Sequence, residues 1–148
     1  MRRLLLILPI LLMACNALVP AFNAEANTRV TDAYQQISQL LAKAELGGFQ
    51  SKSTYQGEIN SYAAIISQLE TAKLSLQGSG PTGDSPAASA NTLLINILDG
   101  CLSNVKAFSQ MHQQFGIIPN TGATQPVRTA CDQTVKAVGA RAPVIGGN

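Results

Sequence analysis

Tryptophan is absent from this chain of 148 residues, aromatics are only 5% of it, and histidine occurs once, as His112. So little aromatic surface leaves no material for a base-stacking platform or an aromatic cage. Charge is scarce too, at 12% of residues. Of the 10 Lys and Arg, Arg2 and Arg3 stand ahead of Cys15, so the rest of the chain balances eight bases against 8 acids. Binding nucleic acid requires a surplus of cations that displaces counterions from phosphates, and there is none. Electrostatic docking on anionic lipid is disfavoured for the same reason.

Catalytic and cofactor signatures are missing as well. There is no C-x-x-C redox pair, no C-x-x-C-H haem attachment, no G-x-S-x-G elbow and no Walker loop. Gly78 to Gly83 formally matches G-x-G-x-x-G, but it follows a helical pattern rather than a strand, and Pro81 removes a backbone donor that a phosphate would need. One histidine and one thiol pair do not make a zinc or iron site without several carboxylates, and no Asp or Glu stands three or four residues from His112. No metal and no cofactor is expected.

What is abundant is aliphatic: 46% of the chain is hydrophobic, mostly Leu, Ile, Val and Ala, enough for the core of one small domain. The N-terminus carries the strongest local signal. Met1-Arg2-Arg3 is a cationic start, and Leu4 to Ala14 is an apolar run with one proline, the anatomy of an export signal. Three endings fit it. Leu12-Met13-Ala14-Cys15 resembles the lipobox of bacterial lipoproteins, which implies cleavage after residue 14 and a lipid on Cys15. Ala24-Glu25-Ala26 is an ordinary cleavage site, giving a signal of residues 1–26. Without cleavage, Leu4 to Phe22 would anchor the chain, although Pro9, Asn16 and Pro20 make a poor span. The lipid route leads, with residues 15–27 as a tether. In either cleaved form Cys101 and Cys131 remain as an even pair in an oxidising compartment, and they are expected to bond. Closing a loop of that length stabilises a fold by about 3.5 kcal/mol.

Periodicity predicts an all-α domain over residues 28–139. Val30, Ile37 and Ala44, with Tyr34 and Leu41 between them, mark a first helix from Thr28 to Leu46 that Gly47-Gly48 stops. Tyr55, Tyr62, Leu69 and Leu76, flanked by Ile59 and Ile66, mark a second from about Ser53 to Gln77, with Ser53 and Gln56 at capping-box spacing. Gly78 to Ser85 reads as a flexible linker. Ser85-Pro86 then opens a third helix that runs to Phe115 through Gly100, with Leu94, Cys101, Phe108 and Phe115 as its inner row and Leu98 and Val105 beside it. A loop follows from Ile117 to Thr124. It must run back along the third helix before a fourth covers Gln125 to Val138 on Val127, Cys131, Val135 and Val138. Both cysteines fall on core-facing rows. The expected architecture is an up-down four-helix bundle with one inter-helix disulfide, and a loose tail over residues 140–148.

His112 lies in line with Leu98 and Val105, where a histidine is expected to sit at the core's rim. Asp99 and Asp132 are read as helix-surface acids. The polar positions are filled largely by amides and hydroxyls, among them Gln35, Gln39, Ser109 and Gln113. These features favour a non-catalytic envelope protein that acts by contact with a protein partner, as an accessory or inhibitory module, held to the membrane through a lipid if Cys15 is modified. The alternative is a carrier of a small apolar ligand or lipid, with Tyr55, Tyr62, Phe108 and Phe115 lining a space between helices.

Overall fold

A computed structural model describes residues 22–140 of the chain. The export signal, Cys15 and the tail beyond residue 140 lie outside the described residues. Four helices account for most of the remainder: α1 Ala24–Glu45, α2 Tyr55–Ser79, α3 Pro86–Phe115 and α4 Gln125–Gly139, with a short 3-10 turn over Lys52–Thr54. Among the described residues there is no strand.

Each helix buries one stripe. Val30, Ile37, Leu41 and Ala44 on α1 face inward as their spacing predicts, joined by Ala26, Ala33 and Leu40. On α2 the row Tyr62, Leu69 and Leu76 is buried and flanked by the buried Ile65 and Ala72; of the expected flank Ile66 packs partly buried against the core, while Ile59 is 42% exposed. Ile65 and Ile66 are equally apolar, so composition could not say which side of the row met the neighbours. Side chains such as Leu69 and Leu98, nearly free of solvent, each stabilise the fold by about 2 kcal/mol.

The helices form a closed ring in which α1 meets α2 and α4, and α3 meets α2 and α4. Neighbours run antiparallel. Asn23, at the start of α1, reaches Ser75 and Ser79 near the end of α2, and Lys73 on α2 bonds Asp99 on α3 at 2.7 Å. Between α3 and α4, the Thr134 hydroxyl donates to the Ile97 carbonyl at 3.1 Å. The disulfide joins Cys101 to Cys131 with Cα atoms 4.6 Å apart. The architecture is the expected small all-α bundle with its inter-helix disulfide.

Three boundaries differ from the sequence reading. The first helix starts at Ala24 rather than Thr28, because the Asn23 side chain accepts from the Ala26 amide at 2.8 Å and is itself held by α2. The second has no capping box at Ser53: Ser51 accepts from the Ser53 amide and starts the 3-10 turn that leads into α2. The linker shrinks to residues 80–85, since Gly78 and Ser79 complete α2. It is also tied at its start, where the Asn91 side-chain amide donates to the Leu76 carbonyl at 3.1 Å. At the third helix the expectation holds, with Ser85 accepting from Ala88 and Pro86 in the first turn.

Candidate functional site

The loops at the end of the bundle remote from Asn23 are locked together by two glycines. Gly47 takes φ 86° just after α1, and Gly116 takes φ 80° just after α3, a left-handed conformation that costs glycine nothing. A Cβ on Gly116 would stand 2.5 Å from the Gln50 carbonyl oxygen. That close approach lets the Ile117 amide donate to the Phe49 carbonyl at 2.6 Å. Phe49, which sequence spacing did not single out because it lies on no helix, is thereby turned into the core with no exposure.

Phe49 stacks on His112, ring centroids 4.3 Å apart. The imidazole also meets Tyr55 edge-on at 5.5 Å and Tyr62 at 5.9 Å, and Tyr62 meets Phe108 at 6.4 Å. His112 is therefore not a rim residue. It has 0% exposure, and both ring nitrogens are bonded, Nε2 to the Thr54 hydroxyl at 2.8 Å and Nδ1 to the Tyr62 hydroxyl at 3.0 Å.

The neighbours fix its tautomer. Thr54 spends its one hydroxyl hydrogen on the Ser51 carbonyl at 2.7 Å, so toward the ring it can only accept. Nε2 carries the hydrogen, Nδ1 is the bare acceptor, and Tyr62 donates to it. One directed chain thus runs from the Tyr62 phenol through His112 and Thr54 to the backbone at Ser51. Burial holds the His112 pKa below its ordinary value, with Lys43 adding to the effect and Glu58 opposing it. Burial also pushes the Tyr62 phenol well above its ordinary range. The histidine is neutral and fully bonded, and no free nitrogen is left to take a substrate's proton.

Three of the four proposed ligand-lining residues gather here. Tyr55, Tyr62 and Phe108 pack against one another or His112 and fill the space between the helices. Phe115 does not join them: it is the last residue of α3 before the chain turns at Gly116, and it is 75% exposed. Ser109, read as an outward polar residue, is buried with its hydroxyl 3.4 Å from that of Tyr55. The lone Tyr34 hydroxyl on α1 donates to Asp132, which lowers the pKa of that carboxyl, with Lys136 reinforcing it. Asp99 is paired with Lys73 across α2 and α3, and each acid is thus a structural contact.

No group of three metal-ligating side chains is present among the described residues, and no described helix is long and apolar enough to cross a membrane. Comparison with known protein families, curated proteins and solved structures finds no match for the chain.

Proposed function

We propose that the chain is a non-catalytic contact module of the bacterial cell envelope, carried there by its export signal and held through a lipid on Cys15. The observation that supports a contact role is the closed aromatic cluster: the one histidine is consumed by internal bonds, and the rings that could have lined a chamber fill it instead. Large apolar side chains are meanwhile left on the outside, notably Leu46, Phe115 and Ile118 around the glycine-locked loops. Exposed apolar surface of that kind marks sites of association.

The lipid ending is favoured over cleavage after Ala26 by the position of Ala24–Ala26 in the first turn of α1. Cleavage there would remove the Asn23 cap and the fully buried Ala26 from the folded domain. Cleavage before Cys15 keeps both, and leaves a short tether ahead of the bundle.

The alternative, a carrier of a small apolar ligand, would use the space that Tyr55, Tyr62 and Phe108 now occupy. Beside Phe108 there is a mostly apolar surface recess. Chemical cross-linking of intact cells followed by purification of the tagged chain tests the contact reading. A stoichiometric protein adduct is expected. Recovery of the chain without any protein adduct overturns the reading, and a co-purifying apolar ligand in native mass spectrometry would put the carrier in its place.

A further inference from the structure

Every charged side chain on α3 and α4 turns away from the outer face that these two helices share. On α3, Asp99 bonds Lys73 and Lys106 bonds Glu70, both partners lying on α2. On α4, Arg128 bonds Glu45 and Asp132 accepts from Tyr34, both on α1, while Lys136 bonds Asp132. Between Lys106 and Arg128 the sequence has no Asp, Glu, Lys or Arg at all. Among the described residues the face is free of ions.

It is apolar as well. Leu93, Ile97, Ala107, Met111 and Phe115, interrupted by the amide of Asn104, fall at steps of three, four or seven, a second stripe on α3 beside the one that faces the core. Near one end of this stripe lies a mostly apolar recess of about 240 Å³ walled by Asn104, Ala107, Phe108 and Met111 from α3, by Ala123 from the loop before α4, and by Pro126 and Val127 from the start of α4. Phe115 follows Met111 by one helical turn and projects into solvent at 75% exposure. A protruding phenyl ring and an apolar recess thus stand side by side on one surface.

We propose that this face is the contact between two copies of the chain, with Phe115 of each copy entering the recess of the other across a two-fold axis. Shape supports the match, since an apolar cavity of about 150 Å³ already holds a benzene ring. Charge selects the occupant. A partner surface carrying ions would have to strip their water against a face that offers no counter-charge, whereas a second copy brings the same ion-free surface. A protrusion set beside its own complement is what an isologous pair requires. The Cys101–Cys131 bond ties the two helices together beneath the face, so little ordering is lost on association.

The proposal names the partner within the contact reading above, and its test separates the two. Two differently tagged full-length copies are expressed together in bacteria, with the photo-cross-linking residue p-benzoylphenylalanine at Gln114, an exposed neighbour of Phe115 on α3. Irradiation is expected to give an adduct carrying both tags. Phe115→Asp is expected to lower its yield at least about tenfold, with helical content unchanged because the ring packs on nothing within its own copy's core. The same probe at Leu74, exposed on α2, is expected to give no doubly tagged adduct. The pairing is overturned by the absence of a doubly tagged adduct at Gln114, by Phe115→Asp keeping the full yield, or by equal yield from Leu74. Adducts to a different protein alone overturn the pairing and support the contact reading.

Discussion

Tyr62 and His112, fifty residues apart in sequence, share a buried hydrogen bond of 3.0 Å in which the phenol donates to Nδ1. Burial of the ring that accepts this bond gives the fold a pH dependence, because a protonated imidazole would carry its charge away from water, with Lys43 adding to the cost and Glu58 opposing it. The unfolded chain, where imidazole titrates at its ordinary 6.5, therefore binds the proton more readily than the folded one. The contribution is complete above about pH 6.5 and is lost as pH falls from there toward the lower folded value. Urea midpoints measured across that range are expected to drop for the wild type and to stay level for His112→Gln. The lowered carboxyl values of Asp132 and Glu45 act in a separate, more acidic window, where their protonation removes further stability. A flat wild-type profile near neutrality would refute the histidine's role.

Deleting one hydroxyl of the same chain isolates its worth. Tyr62→Phe keeps the ring among Tyr55, Phe108 and His112 but leaves the Nδ1 lone pair buried without a donor. The expected loss is about 1–3 kcal/mol in equilibrium unfolding. A loss below experimental error would mean that water or another group reaches the nitrogen.

The disulfide carries a large share of stability in so small a domain. Replacing both Cys101 and Cys131 by Ser should lower the unfolding free energy by about 3.5 kcal/mol in the chain-entropy account. The fourth helix, tied to α3 also through Thr134, is where hydrogen exchange should rise first. Equal melting temperatures for the reduced and oxidised protein would contradict this.

Two glycines make opposite predictions. Gly100 lies inside α3 with open space where a Cβ would go, so Gly100→Ala should stabilise by about 0.5–1 kcal/mol. At Gly116 the backbone is left-handed and a Cβ would press on the Gln50 carbonyl, so Gly116→Ala should destabilise by more than about 1 kcal/mol. Thermal melts of the two variants should move apart in sign.

The proposed lipid route makes a prediction about the mature chain and about the cap on α1. Asn23→Ala removes the acceptor for the Ala26 amide together with the donors to Ser75 and Ser79, and about 1 kcal/mol or more should be lost. The intact mass of the protein exported by its host is expected to correspond to a chain beginning at Cys15 with acyl groups attached. It should rise by two hydrogens when the disulfide is reduced. A mature chain that begins at Asn27 would exclude the lipid.

Helix number, most members of the inward rows and the placement of both cysteines on them were legible in the residues alone, because a period of 3.6 repeats over many turns. Val30, Ile37, Leu69, Leu98 and Cys131 all face where their spacing put them. The tertiary structure decided what no period encodes. Asn23 could be known as a cap only once Ser75 and Ser79 stood opposite it. Phe49 lies on no helix, and its burial depends on Gly116 allowing two loops to touch. His112 and Phe115 both follow inner rows of α3 by spacing, yet the first is in the core, covered by Phe49 from a loop, and the second at the edge of the row is in solvent, a difference set by what packs beside them.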